Sequence, residues 1–205
     1  MQKVGYMYLQ YLSEHLILSL NSLIVSIVIG IPLGYICYGN RHMNMYITSG
    51  IQFLRIIPSL ALLFILIPFI GTGYLPALVA LVILGIPPVL LNTAVGFSEV
   101  SEDLLQVGKG LGMDKKQLFK KVLFPLALPY ILNGIKLSLV EIIASATLAT
   151  YIGAGGLGSL IFTGLGLYRM DLIVVGGVSV AAMSIGVSIL FDMIIWKTEN
   201  RKQKK

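Results

Sequence analysis

Charged residues are scarce in this chain of 205 residues: they make up 12% of it, whereas hydrophobic residues make up 57%. A soluble domain has about 25% charged residues. The composition therefore excludes an ordinary soluble enzyme and predicts an integral membrane protein. Cysteine is nearly absent as well. The single Cys37 cannot form an internal disulfide, and it lies in an apolar run, where a packed thiol is expected.

Long stretches lack charge altogether, and these stretches predict the membrane spans. A helix needs about 20 apolar residues to cross a bilayer. Residues 16–40 and 56–98 contain no charge, and the turn-forming GTGYLP at 71–76 divides the longer stretch. Because the runs are continuous rather than alternating at a period of two, helices are favoured over barrel strands. The first span is expected to be retained, since it is too long for a cleaved signal.

The predicted fold is all-α and integral to the membrane, with a single domain over 1–205. We expect five transmembrane helices at about 16–40, 45–70, 75–97, 129–152 and 172–196. A segment at about 101–125, between the third and fourth spans, is basic and lies outside the membrane.

Basic residues are distributed unevenly between the two sides, and this predicts the orientation. Cytoplasmic loops are enriched in lysine and arginine. One side holds only Lys3 and Arg169. The other holds eleven: Arg41, Lys109, Lys115, Lys116, Lys120, Lys121, Lys197, Arg201, Lys202, Lys204 and Lys205. We therefore expect the N-terminus outside and both the C-terminus and segment 101–125 in the cytoplasm. Basic residues scattered among apolar spans indicate a lipid-bilayer environment and no nucleic-acid partner.

Segment 101–125 carries the signals of two short helices joined by a turn. The signals are the cap Ser101 with Glu102 and Asp103, the turn glycines Gly110 and Gly112, and the near capping box of Asp114 with Gln117. A basic amphipathic helix can lie on anionic lipid, so lipid binding and partner docking both stay open. A glycine hinge at one fixed place favours docking.

The second of these helices has two apolar stripes before a proline. Leu118 and Val122 share one stripe, and Phe119 and Leu123 share the other. Pro125 is expected at the end of the helix or at a kink.

Four clustered glycines, Gly153, Gly155, Gly156 and Gly158, contain a G-x-G-x-x-G pattern. A dinucleotide site would need a surrounding βαβ unit, and none is predicted here. We expect instead non-helical backbone at membrane depth, which is tolerated where it is packed in protein or lines a cavity. The hypothesis is a gate or pore-lining turn.

Two charged residues lie inside the predicted fourth span. Lys136 is near enough to the span's end for its side chain to reach the interface. Glu141 lies about 18 Å in, where a charge costs about 2.5–3.5 kcal/mol on insertion scales. We expect it to pair, with Arg55 of the second span as first choice. Lining the translocation path, with Ser145 one turn away, is the second.

The spacing within segment 101–125 resembles the cytoplasmic signature loop of permease subunits of bacterial ABC importers. That pattern reads E-A-A, three residues, Gly, nine residues, then I-x-L-P. The matching positions here are Gln106, Val107, Gly108, Gly112, Val122, Phe124 and Pro125. The glycine, the proline and the spacing are kept, whereas the leading Glu-Ala-Ala reads Gln-Val-Gly.

Two further stretches are similar to the same family. RIIPSLALL at 55–63 resembles its second span, and TLATYIGAGGLGSLIFTGL at 147–165 is similar to permeases for glycine betaine, carnitine and choline. Five spans with the N-terminus outside agree with the small type I importer fold, which the methionine permease shares.

The resemblance implies a transmembrane subunit of the bacterial cytoplasmic membrane that is not itself an enzyme. Two separate ATPase subunits would bind ATP and magnesium, so no cofactor and no metal are expected on this chain. A second permease copy or paralogue and an external substrate-binding protein are the other implied partners. The coupling contact with the ATPase would involve Gln106, Val107, Gly108, Gly112, Leu118, Phe119, Val122, Phe124 and Pro125.

The substrate stays open between an osmoprotectant quaternary amine and another small solute such as methionine. Two other classes are a stand-alone secondary transporter or channel and a membrane scaffold without transport. A secondary transporter predicts internal symmetry and a charged site at the midplane; the chain shows no clear repeat, and one intramembrane acid is thin support. Co-purification with a nucleotide-binding subunit would separate the importer from both.

Overall fold

The computed structural model describes residues 2–203, and their regular structure is entirely helical, which confirms the all-α prediction. The helices are α1 Gln2–Gly39, α2 Arg41–Leu54, α3 Ser59–Ile70, α4 Tyr74–Ser98, α5 Glu102–Gly110, α6 Lys115–Leu118, α7 Phe124–Ala146, α8 Gly158–Gly166 and α9 Met170–Gln203. A π-helical turn, Phe119–Leu123, joins α6 to α7, and a 3₁₀ turn, Leu148–Ile152, follows α7. Six of the basic residues that predict the orientation are not fully described by the structure. These are Lys204 and Lys205, and the side chains of Lys3, Arg41, Arg201 and Lys202.

Within these residues, four helical segments are long and apolar enough to cross a membrane: Tyr6–Gly39, Tyr74–Ser98, Lys115–Ala146 and Met170–Asn200. The second predicted span, 45–70, is not one straight helix, because α2 and α3 are bent by 92°. The bend falls just before Pro58, which disfavours helical backbone at the preceding residue. If the bent pair is counted as one span, the described residues contain up to five candidate spans.

Two predicted boundaries differ from the structure. The first span was predicted at 16–40, but α1 begins at Gln2 and includes polar residues such as Gln10, which donates to Glu14 at 2.8 Å. The fourth was placed at 129–152. The helix in this region begins earlier, because the π turn makes it continuous with α6 through Pro125. Its α-helical part also ends earlier, at Ala146.

The core lies where α1, α4 and α7 pack together, with small residues at their contacts. A Cβ atom at Gly34 would stand 2.6 Å from the Cβ of Thr93, and one at Gly30 would stand 2.9 Å from the Cβ of Val89. Ser22 and Ser26 are fully buried. The small residues of α1 therefore serve packing within this chain.

Hydrogen bonds fix α7 against α4. The Ser138 hydroxyl donates to the Gly85 carbonyl at 2.8 Å, and the Asn133 amide donates to the Asn92 side-chain oxygen at 3.1 Å. In apolar surroundings such pairs hold helices in one register. Both ends of α7 are therefore positioned by the core: one leads to segment 101–125 and the other to the clustered glycines.

Candidate functional site

Helix α5 is capped at both ends as a free-standing unit. The Ser101 hydroxyl accepts the N–H of Asp103 at 3.2 Å, and Glu102 and Asp103 occupy the first turn, where the helix dipole favours acids. Lys109 lies in the last turn. The helix that the sequence predicted over this segment is present.

The turn after α5 is made by one glycine rather than two. Gly112 has φ +78°; its N–H bonds to the Lys109 carbonyl at 2.9 Å, and the N–H of Met113 bonds to the Gly108 carbonyl at 3.1 Å. This pair of bonds is a Schellman motif, which needs a left-handed residue at the position of Gly112. Gly110, also predicted as a turn residue, is simply the last residue of α5.

Helix α6 begins with the predicted capping box. The Asp114 carboxylate accepts the N–H of Gln117 at 2.7 Å, and the Gln117 side-chain oxygen accepts the N–H of Asp114 at 3.3 Å. The two helices are then pressed together at Gly108, where a Cβ would stand 2.6 Å from the Cδ1 of Leu118. Glycine at the third signature position thus coincides with a close helix contact.

Aromatic rings anchor the second half of the segment to the bundle. Phe119 contacts Tyr35, Phe97 and Phe124, with ring centroids 5.4, 6.1 and 5.9 Å apart. Leu123 is buried in the same apolar cluster, and Leu118 is half-buried. These side chains, together with the half-buried Val122, tie the segment to the spans. Phe119, predicted as part of the coupling contact, packs inward against the bundle.

The π turn before Pro125 explains how the helix passes a proline. The N–H of Phe124 bonds to the carbonyl of Phe119, five residues back. Pro125 has no N–H to donate, and its ring clashes with an ordinary preceding turn; one wider turn relieves both problems. The segment therefore enters the bundle as one continuous helix from Lys115 to Ala146.

The outward side of α5 is apolar. Leu104, Val107 and Leu111 are 48%, 60% and 73% exposed. Their spacing of three and four residues puts them on one helix face. Gln106, the first signature position, is also exposed. Of the predicted coupling residues, Gln106 and Val107 lie on this outer side, whereas Gly108 and Leu118 form the inner contact.

The clustered glycines form a tight, non-helical turn after α7. Gly153, Gly155 and Gly156 have φ of +81°, +75° and +84°. The Thr150 hydroxyl donates to the Gly155 carbonyl at 2.8 Å. A Cβ at Gly158 would overlap the carbonyl oxygen of Thr147. Non-helical backbone was predicted here, and Gly153, Gly155 and Gly156 adopt it, whereas Gly158 begins α8.

The glycine turn, residues 153–158, is clamped by α1. The Glu14 carboxylate accepts the N–H of Gly156 at 2.9 Å, and a Cβ at Gly155 would overlap that carboxylate. His15 is 1% exposed; its Nε2 donates to the Ile143 carbonyl at 3.0 Å, whereas its Nδ1 has no partner among the described residues. A Cβ at Gly156 would stand 3.1 Å from that Nδ1.

The predicted ion pair between Glu141 and Arg55 is not formed. Arg55 is exposed at the bend between α2 and α3, and no ion pair joins it to Glu141 within the described residues. Glu141 is half-buried on the side of α7 that carries Leu137 and Ala144. Ser145, its predicted neighbour, is buried on another side of the helix.

Lys136, which was expected to reach the interface, has an ion partner that the sequence did not identify. Its Nζ lies 2.7 Å from the Oδ1 of Asp192 on α9. Tyr130, Asn133 and Glu199 line the same open groove. In the described range no group of three His, Cys, Asp or Glu side chains is arranged to hold a metal ion.

Residues 26–201 match the family model described as the binding-protein-dependent transport system inner membrane component. The chain is a member of this family. It is thus a permease subunit and a multi-pass protein of the inner membrane. The resemblance found in segment 101–125 is confirmed by a match that extends over most of the chain.

The permease is similar to proteins named for the transport of carnitine, glycine betaine and choline. It is 41% identical to the carnitine transport permease protein OpuCB of Listeria monocytogenes, over 96% of this chain and 90% of the relative. It is 37% identical to the glycine betaine/carnitine/choline transport system permease protein OpuCB of Bacillus subtilis, over 94% and 87%. It is 39% identical to the choline transport system permease protein OpuBB of Bacillus subtilis, over 84% and 79%.

The fold of the permease matches a solved importer. A chain of the inward-facing MetNI methionine ABC transporter superposes with a TM-score of 0.87 at 22% identity, over 97% of this chain and 99% of that one. At this identity the match concerns the fold, and it confirms the predicted type I architecture.

Four residues of the permease site were missed by sequence reasoning. Leu104 and Leu111 flank Val107 at helical spacing, a signal that the lysines of the segment obscured. Glu14 and His15 stand just before the first charge-free run, outside the predicted first span at 16–40. Two polar residues at the edge of an apolar run do indicate a specific partner, but the sequence does not identify it.

Proposed function

We propose that this permease is the membrane subunit of an ATP-driven importer for glycine betaine, carnitine or choline. The single observation that carries the proposal is the 41% identity to a carnitine transport permease over 96% of the chain. The other two relatives carry substrates of the same class, each bearing a quaternary ammonium group. The permease would work with two ATPase subunits, a second permease and an external substrate-binding protein.

The proposed contact with the ATPase is the outer face of α5. Leu104, Val107 and Leu111 leave an apolar face uncovered on a short helix whose two ends are capped. Burial of a leucine or valine side chain contributes about 1.5–3 kcal/mol, so three such contacts can hold a partner. In the proposed orientation this face lies in the cytoplasm, where the ATPase subunits act.

Motion at α5 would pass to the outer half of the permease through one helix. Leu118 packs on Gly108, and α6, the π turn and α7 form a continuous helix of 32 residues. Such a helix is about 48 Å long. Its far end leads, through the 3₁₀ turn Leu148–Ile152, into the glycine turn held by Glu14. Displacing α5 therefore moves the backbone around that turn, which we propose as the gate.

The test is uptake by the assembled transporter together with co-purification of its ATPase. Wild-type complex in liposomes, supplied with its external receptor and ATP, is expected to accumulate choline, carnitine or glycine betaine. The triple variant Leu104→Ala, Val107→Ala, Leu111→Ala is expected to lose at least about tenfold in affinity for the ATPase, since about 1.4 kcal/mol corresponds to tenfold.

A matched control is Leu165→Ala on α8, because Leu165 is as exposed as Leu104, at 52% against 48%. This control should retain the ATPase. Uptake of methionine, with none of the three amines, would contradict the proposed substrate class. Full ATPase binding by the triple variant would contradict the proposed contact.

A further inference from the structure

Three aromatic rings from three elements meet beyond the end of α7. The ring centroids of Tyr151 and Phe162 are 4.1 Å apart with planes inclined at 49°, and those of Phe64 and Tyr151 are 6.5 Å apart at 53°. Tyr151 is nevertheless 55% exposed and Phe64 45% exposed. We call these three residues the aromatic cluster. Its rings touch at an angle and leave open faces.

The backbone around Tyr151 is held firmly. The N–H of Gly73 bonds to the carbonyl of Ile152 at 2.5 Å, and the N–H of Gly153 bonds to the carbonyl of Thr150 at 3.0 Å. The glycine turn then fixes the start of α8, which carries Phe162. A site whose rings are fixed in advance loses little conformational freedom when it binds.

Helix α7, which precedes the aromatic cluster in the chain, carries an intramembrane acid on one exposed side. Leu137, Glu141 and Ala144 are exposed or half-buried at helical spacing, and Glu141 has no ion pair within the described chain. A carboxylate at membrane depth faces protein or water rather than lipid. This side of α7 therefore faces the translocation path or the second permease. Tyr151 is exposed ten residues beyond Glu141 in the chain, in the 3₁₀ turn Leu148–Ile152 that follows α7.

The faces of aromatic rings carry negative potential and attract cations. A trimethylammonium group has no N–H to donate, so carbonyl and carboxylate acceptors cannot bind it by hydrogen bonds, whereas ring faces can. We infer that the aromatic cluster is a substrate site on the permease itself, which takes the quaternary ammonium group after its release from the external receptor. The inference rests on the proposed function and adds the residues that handle the substrate.

The test changes the ring's electrostatic potential without changing its shape. Phenylalanine and its mono-, di- and trifluorinated forms are placed at position 151 of the whole transporter in liposomes, with saturating receptor and radiolabelled choline. Each fluorine weakens the negative ring face. We expect the maximal uptake rate to fall stepwise, by about three- to tenfold at three fluorines. The Tyr151→Phe transporter is the reference with which each fluorinated form is compared, and Phe69 supplies the unchanged control.

Phe69 provides the control on the same helix as Phe64. It is 81% exposed, and no ring contact involves it within the described chain. The same fluorinated series at position 69 should leave uptake unchanged. Equal uptake across the series at 151 would overturn the inference and assign these rings to packing or to an aromatic belt at the membrane interface. A wild-type transporter that takes up none of the three amines would instead overturn the proposed function.

Discussion

The carboxylate of Glu14 accepts the N–H of Gly156 at 2.9 Å, across 142 residues of sequence. The bond joins the first helix to the glycine turn that follows α7. Gly156 has φ +84°, so its backbone is not helical, and its N–H has no helical carbonyl to bond to. Because Gly156 is also buried, this N–H depends on the Glu14 carboxylate. Gln10 donates to the other oxygen of Glu14 at 2.8 Å and steadies it.

Replacing Glu14 with alanine should destabilise the permease. The buried N–H of Gly156 would lose its acceptor, which costs about 1–3 kcal/mol. Glu14→Gln keeps a side-chain oxygen at the same place and should recover most of the loss. The measurement is the midpoint of thermal unfolding of the purified complex, followed by size-exclusion chromatography. Identical midpoints for Glu14→Ala and wild type would show that the bond does not hold the turn.

Gly112→Ala should weaken coupling through the backbone alone. Its φ of +78° costs a residue with a Cβ about 1–2 kcal/mol, although no atom lies within 4 Å of the added Cβ. Asparagine tolerates this conformation and valine does not. The loss of uptake should therefore be smallest for Gly112→Asn, larger for Gly112→Ala and largest for Gly112→Val. The comparison is Gly110→Ala, which lies in α5 with open space around it and should be neutral. An equal loss at both positions would exclude the left-handed turn as the cause.

The sequence predicted those features of the fold that depend on residues close together in the chain. The Ser101 cap, the Asp114 capping box and the Gly112 turn each depend on residues within five positions of one another. The charge-free runs likewise predicted the helices. The bend before Pro58 was not predicted, because one proline in an apolar run is compatible with either a kink or a break.

Contacts between distant segments were not predictable in the same way. The pairing of Lys136 with Asp192 spans 56 residues, and the sequence identified no partner for Lys136. Glu14 reaches Gly156 only because α1 packs beside α7. Such partners follow from how helices pack, which periodicity within one helix does not specify.

The Lys136–Asp192 ion pair should contribute modestly and in a salt-dependent manner. The Asp192 side chain is 58% exposed and that of Lys136 17%, and exposed pairs contribute about 0.2–1 kcal/mol. Lys136→Met and Asp192→Asn should each lower the unfolding midpoint. The charge-swapped double variant, Lys136→Asp with Asp192→Lys, should recover part of the loss. The recovery should shrink in about 1 M salt, where charges are screened beyond about 3 Å. No recovery at low salt would mean that the pair contributes nothing.

Glu141→Gln should reduce transport without affecting assembly. The substitution keeps the size of the side chain and removes the charge, and Glu141 has no ion pair within the described chain to lose. If this carboxylate faces the path, it favours a cation over a neutral or zwitterionic solute. Uptake of choline should therefore fall more than uptake of glycine betaine, at unchanged complex yield. Glu99→Gln, at the exposed end of α4, is the control and should transport both as wild type does. Loss of the assembled complex in Glu141→Gln would instead assign the acid to the contact between permeases, because an intramembrane charge that does not meet water pairs with protein.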